Sequence, residues 1–339
     1  PIVFADRGIV ATSLASGLRI GGWAEYAHLS RPANPNWQVY LSPFFSAHQQ
    51  NLEQLLAQTA KDIQWVDTVA DANLILNQAT DLGDEAYLLR IDKQKIRIDA
   101  NAYGGLVYAI QSLVQIDVTA QIGSNRLPLV DIEDAPRFAY RGFLLDISRN
   151  FYGLDKIKQV VDLMSIYKLN HLDLKLTDDE GWRLEIPGLP ELTEVGAKRG
   201  YTLDERDKLI PMYGSGANGG KTGNGFLTQH DFVELIRYAS VRNVTIIPQI
   251  SFPSHARAAI VSMESRRKKL IEKGEYEAAE EYVLTDLNDK SIYKSPQLYN
   301  DNTINICRES SYAFFKKLID EIKTQAKKIA HPLHFFNYY

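Results

Sequence analysis

Leu172, Leu174 and Leu176 alternate with His171, Asp173 and Lys175, and this alternation marks a strand that runs straight into Asp178, Asp179, Glu180 and Trp182. Like charges side by side repel, so such an acidic strand end is either a solvated turn or a site whose cation, sugar or reaction uses the acids. Upstream, residues 46–63 carry apolar positions at helical spacing, with Ser46 as a candidate N-cap, and 73–76 read as a short strand. Residues 87–91 and 95–98 alternate around a polar turn and predict a β-hairpin, and a helix is expected over 103–116. Together 46–135 predict a small α+β domain. Residues 1–45, with Trp23, Trp37 and several prolines, are too mixed for more than short strands and loops. Residues 117–140, with the acidic run from Asp131 to Asp134, are expected to connect to a second domain.

From Arg141 the pattern becomes strand, helix, strand, helix. Strands are expected at 143–147, at the opening stretch, at 244–250 and from about 333, with helices at 155–167, 228–242, 262–282 and 311–329. The glycine-rich stretch 214–225 has no preceding strand and no Gly-Lys-Ser/Thr ending, so it predicts a flexible excursion and not a phosphate loop. Polar residues at successive strand ends, Arg149, Asp178 with Asp179, and His255, fit a (β/α)8 TIM barrel over 136–339. About four strands make roughly the first half of such a barrel, the alternative being an open doubly wound sheet.

Composition narrows the function. The 339 residues carry a formal net charge of −4 and no apolar run of the roughly 20 residues a membrane helix needs. Nucleic acid is not expected as a partner, because a phosphate-binding surface is basic. The single Cys307 cannot form an internal disulfide and is expected to be a buried small hydrophobe.

The segments Arg141-Gly142-Phe143-Leu144-Leu145-Asp146-Ile147-Ser148-Arg149, Tyr167-Lys168-Leu169-Asn170, Thr177-Asp178-Asp179-Glu180-Gly181-Trp182-Arg183 and the run from Pro248 to Arg266 occur in an order that resembles family 20 glycoside hydrolases. These are exo-acting β-N-acetylhexosaminidases, and the chain looks closest to their bacterial chitobiase-like branch. The block at 84–116 is similar to the small domain that precedes the barrel in that family. The resemblance implies release of terminal β-linked N-acetylhexosamine from chitin oligosaccharides or glycans by a retaining, substrate-assisted route through an oxazolinium. It implies a carbohydrate partner, no metal and no organic cofactor, and a periplasmic or secreted location. Carried over by motif, Arg149 binds sugar hydroxyls through its planar donor fork, while Asp178 and His255 form a supporting hydrogen-bond network. Trp182 either stacks on the sugar or buries a barrel loop.

The chain departs from the family pattern at Asn150, Asp173, Lys175, Gln249, Ser251 and Ser254. The Asp-Glu pair that orients the acetamide and protonates the leaving oxygen belongs to a His-x-Gly-Gly/Ala-Asp-Glu motif, which does not occur in these residues. Either that motif starts near Asn337 with its acids beyond Tyr339, or His334 is its histidine and Tyr338 and Tyr339 stand at the acid positions. Two further readings stay open: a sugar-binding barrel without catalysis, and a hydrolase of another family with Asp178 or Asp179 as nucleophile. Residues 1–339 alone are expected to be inactive and poorly stable, because an unclosed barrel exposes sheet edges. A cooperative melt with turnover of an aryl β-N-acetylglucosaminide would refute that.

Overall fold

The structure is a computed structural model that describes residues 10–11, 30–33, 36–59, 62–122, 126–327 and 337–338. The backbone divides into two compact units: one of Pro1–Arg141 with Asp162–Asn170 and Val241–Val244, the other of Gly142–Val161, His171–Ser240 and Thr245–Tyr339.

In the first unit, strands β1 (Asn36–Leu41), β2 (Asp62–Val66), β3 (Leu74–Gln78), β4 (Tyr87–Ile91), β5 (Ile96–Ala100) and β6 (Val130–Asp134) join the two-residue strand Val10–Ala11 in one mixed sheet. Helices α1 (Gln49–Leu56) and α2 (Tyr103–Ile122) pack into the same core, which Phe45, Leu127 and Val241 complete. The hairpin is present, with Leu89 opposite Ile98 and Ile91 opposite Ile96. Its alternation places Tyr87, Leu89, Ile91, Ile96 and Ile98 in the same core as Leu106, Val107, Ile110 and Leu113 of α2. At eight residues α1 is too short to persist on propensity, so burial of Leu52, Leu55 and Leu56 holds it.

Three sequence expectations shift here. The helix expected to Ile63 stops at Leu56, because the Thr59 amide and hydroxyl both donate to the Leu56 carbonyl; Ile63 lies in β2 instead. The expected connection at 117–140 is largely structured, since α2 runs on to Ile122 and the acidic run is β6, where Ile132 points inward between Asp131 and Glu133. The sheet also takes in β1, upstream of the expected domain start at 46. Trp23 and most of the first 29 residues lie outside the described residues.

A polar knot ties this unit together. Glu85 Oε1 accepts from Tyr108 Oη at 3.0 Å, Asn243 Nδ2 at 3.0 Å and Asn170 Nδ2 at 3.2 Å, while Arg141 Nη1 reaches Glu85 Oε2 at 2.9 Å. Arg141 also donates to the Lys168 carbonyl and to Tyr108 Oη. Burial pushes the Glu85 carboxyl up, but these partners, Arg141 foremost, bring it below its ordinary value.

In the second unit, β7 (Gly142–Asp146), β8 (His171–Lys175), β11 (Thr245–Ile250) and β12 (Asn337–Tyr338) form a parallel sheet in that order. Between β8 and β11 a short hairpin, β9 (Thr177–Asp178) and β10 (Gly181–Trp182), leads into a long loop. The helices are α3 (Leu154–Ile166, from Asp162 on in the first unit), α4 (Gln229–Val241, its last residue in the first unit), α5 (Arg257–Glu272), α6 (Tyr276–Glu280) and α7 (Glu309–Lys327). Strands adjacent in sequence are adjacent in space with no reversal, which is barrel winding and excludes the doubly wound alternative over these strands. The opening stretch behaves as its alternation requires: Leu172 and Leu174 are fully buried, and Asp173 and Lys175 point to the opposite face. Register aligns Asp146, Lys175, Gln249 and Asn337 in one row across the four strands. His334 and Tyr339 lie outside the described residues, as does the expected strand start at 333.

The expected flexible excursion at 214–225 is instead built into the unit. Gly219 has φ +79°, and a Cβ there would sit 2.3 Å from the Arg199 carbonyl, so only glycine fits this close backbone approach. Cys307 is exposed and not a core hydrophobe, because it sits in the turn where its amide donates to Asn305 Oδ1.

Replacing Arg141 with leucine leaves the Glu85 carboxylate without its charged partner in a mostly buried setting. The expected loss is about 2–3 kcal/mol, measured by chemical denaturation. The same replacement in a Glu85→Gln background is expected to cost clearly less.

Candidate functional site

The site forms where β7, β8 and β11 end. Asp146, the last residue of β7, accepts hydrogen bonds at Oδ1 from the Ser148 amide, the Ser148 hydroxyl and the Arg149 amide, which folds the chain back so that Arg149 stands over its own strand end. Arg149 Nη1 is 2.7 Å from Asp146 Oδ2, Nη2 is 2.8 Å from Asp178 Oδ2, and Nε faces Glu180 Oε2 at 3.5 Å. A guanidinium has five N–H groups, so Asp146 and Asp178 do not exhaust its donors, and the side chain keeps 30% of its exposure.

Lys175, at the end of β8, pairs with Asp178. Asp178 Oδ1 also accepts the Asp179 amide at 2.7 Å. Asp179 Oδ1 accepts the Arg257 amide at 3.0 Å, and its Oδ2 accepts Asn302 Nδ2 at 2.9 Å. His255 Nδ1 lies 3.2 Å from Asp179 Oδ2 and 3.4 Å from Asp178 Oδ1. His255 has φ +54°, a left-handed conformation that costs a non-glycine residue energy and aims the ring at the two aspartates. With a proton on Nδ1 facing them, Nε2 is the nitrogen left for a further partner.

The acidic turn is therefore no solvated loop: Asp178, Asp179 and Glu180 are each at most 1% exposed. Burial pushes the Glu180 carboxyl up to about 7, with the Asp178 charge adding and Arg149 opposing. Asp179 is also raised, first by burial. Asp146 moves the other way, because the Ser148 and Arg149 hydrogen bonds and the charges of Lys175 and Arg149 outweigh its burial.

Asp178, Asp179 and His255 each offer one ligand atom, all within 4.8 Å of one another. Those carboxylate oxygens already take Arg149, Lys175, Asn302, the His255 ring and main-chain N–H groups, so a metal ion would have to displace them. The arrangement instead suits a neutral polyol, with N–H groups as donors and carboxylates held at fixed positions.

Of the residues singled out by sequence, Arg149, Asp178 and His255 are brought together. Trp182 is not: it is 1% exposed, its indole N–H donates to the Leu184 carbonyl, and its ring packs 6.1 Å from Phe314, which is the loop-burying alternative and not a sugar wall. Two of the departures have visible work. Lys175 neutralises Asp178, and Ser251 joins β11 to the hairpin through its amide to Thr177 Oγ1 and its hydroxyl to the Thr177 carbonyl. Asp146 and Glu180 lay inside the recognised motifs without a role, and their positions at a strand end and in the acidic run were the available signal. Asn302 sits in a polar loop that has no periodicity to mark it.

Beneath the cluster, buried Arg183 donates from Nε and Nη2 to the Ser148 carbonyl, from Nη1 to those of Ala197 and Gly225, and from Nη2 to that of Gly223. Gly181 leaves it room, since a Cβ there would lie 2.5 Å from Arg183 Nη2.

Sequence-ordered parallel strands with an arginine and carboxylates at their C-terminal ends define a β/α-barrel domain with a polar small-molecule site. Residues 138–335 match the catalytic domain of glycosyl hydrolase family 20 and residues 33–135 match domain 2 of that family. The chain belongs to this family. It is 46% identical over 249 residues to N,N'-diacetylchitobiase of Vibrio harveyi, covering 73% of this chain and 28% of that protein. It is 41% identical over 251 residues to β-hexosaminidase B of Pseudoalteromonas piscicida, covering 74% and 32%. The crystal structure of an exo β-N-acetylglucosaminidase from Vibrio harveyi in complex with N-acetylglucosamine superposes with a TM-score of 0.69 at 31% identity, over 88% of this chain and 42% of that one. The chain thus spans about a third of the curated relatives it matches.

Glu180 binds its proton more tightly folded than unfolded, so its contribution to stability is greatest below pH 4.5 and is lost as pH rises towards about 7. Glu180→Gln is expected to raise the melting temperature at pH 8, by on the order of 2 kcal/mol in stability, and to change it little at pH 5. Thermal melts of both proteins across that range check this.

Proposed function

We propose that the whole protein removes terminal β-linked N-acetylhexosamine, GlcNAc foremost, from chitin oligosaccharides or glycans. The observation that carries this reading is Arg149, held by Asp146 and Asp178 at one N–H of each terminal nitrogen, with further N–H groups at its partly exposed edge. Two donors on one rigid plane match two adjacent sugar hydroxyls, which a lysine ammonium cannot do. Asp178, Asp179 and His255 form the coupled network beside it. Through His255 Nε2 this network would orient and tune the proton of a general acid. The route is retention by substrate assistance: the acetamide oxygen attacks the anomeric carbon, the leaving oxygen takes a proton from the general acid, and water opens the oxazolinium. None of these steps needs a metal or an organic cofactor. The catalytic acids would be supplied by the family's Asp-Glu motif, which is not among residues 1–339. A periplasmic or secreted location goes with this substrate, and among the described residues no helix is long and apolar enough to cross a membrane.

Isothermal calorimetry of the whole protein with GlcNAc, and its hydrolysis of an aryl β-N-acetylglucosaminide, test the proposal. Arg149→Lys is expected to weaken GlcNAc binding and raise KM roughly ten- to a hundredfold, as for the loss of charged hydrogen bonds. Binding without turnover by the whole protein would favour the sugar-binding reading. Neither binding nor turnover would overturn both.

A further inference from the structure

A two-residue hairpin turn asks for glycine or asparagine, yet β9 and β10 are joined by Asp179 and Glu180, neither with positive φ. Asp179 is accounted for, since both its oxygens accept hydrogen bonds. Glu180 is not: it is fully buried, and among the described residues neither oxygen meets a donor in good hydrogen-bond geometry, with the Tyr213 hydroxyl and Arg149 Nε among its polar neighbours. Such a group costs stability, and turn geometry gives nothing back for it. Its nearest cationic atom is Arg149 Nε at 3.5 Å, itself a buried N–H without an acceptor.

The two groups cannot easily move apart. Gly181, next to Glu180, has no space for a Cβ between Arg183 and the Ser148 carbonyl, and that same carbonyl, next to Arg149, accepts Arg183 Nε and Nη2 at 3.0 and 2.9 Å. One buried guanidinium therefore fixes the backbone on both sides of the Glu180–Arg149 approach. On the outer side, half-exposed Tyr213 interacts through its hydroxyl with both Glu180 and Arg149.

We propose that Glu180 is a positioning residue for Arg149: by facing Nε from behind, it fixes the plane of the guanidinium and directs its remaining terminal N–H groups outward. Asp146 and Asp178 each hold one terminal nitrogen, and two such points leave the plane free to tilt. The third contact removes that freedom, so the donor pair meets a ligand already oriented. The effect on sugar affinity rests on the function proposed above; the orientation of Arg149 does not.

Two measurements on the whole protein separate these. The Arg149 Nε–H resonance, assigned in a ¹⁵N spectrum by its loss in Arg149→Lys, reports the orientation directly. Glu180→Ala and the near-isosteric Glu180→Gln are expected to shift it and speed its exchange with solvent, with Gln the milder because it keeps an acceptor. GlcNAc affinity by calorimetry is expected to fall roughly tenfold in Glu180→Ala and less in Glu180→Gln. Should Glu180→Ala not fold, Glu180→Gln alone carries the test. An Arg149 signal unchanged in a folded Glu180 variant overturns the proposal, as does unchanged affinity where the unsubstituted protein binds GlcNAc. A protein that binds no GlcNAc but whose Arg149 signal responds to Glu180 sinks the functional reading and keeps the positioning role.

Discussion

Arg183 donates all its N–H directions to main-chain carbonyls from three separate stretches, and the site above it depends on that. Burial pushes its guanidinium down to about 9, with the Arg199 charge adding to the effect, so it is still charged at neutral pH. A buried cation without a carboxylate partner is normally costly; here the carbonyl oxygens of Ser148, Ala197, Gly223 and Gly225 replace its water. The loop after β7, the hairpin after β8 and the glycine-rich segment are thereby locked to one another, and Arg149 and Glu180 inherit fixed backbones.

On that platform the site distributes charge so that no ionised group stands alone. Arg149 and Lys175 face Asp146 and Asp178, Asp179 takes His255, Asn302 and an amide, and Glu180 responds to crowding by holding its proton more tightly. Neighbouring carboxylates at one strand end thus acquire different roles from their surroundings, as their identical chemistry alone would not require.

The strands, the hairpin and the main helices were legible because their apolar spacing is long and regular, as in residues 171–176 and 309–327, whereas the barrel winding rested on the strand-end residues and the family resemblance. What escaped was set by single contacts. The end of α1 follows from the Thr59 side chain and the order of the glycine-rich loop from Arg183 and Arg199, while Phe314 decides between the two readings of Trp182 that the sequence left open. Arg149, Asp178 and His255 were found because a motif carries them. Glu180 and Asn302 were not, since their roles arise only when distant segments meet.

Lys175 carries a consequence for how such a site can change. Its ammonium and the Asp178 carboxylate neutralise each other where water scarcely reaches. Replacing Lys175 with an uncharged residue would leave Arg149 as the remaining close cation on Asp178, and removing Asp178 would leave both cations to share Asp146. Each single step passes through a charge imbalance that the double step avoids. Substitutions at these two positions are therefore coupled, and the cost of changing one depends on which residue stands at the other.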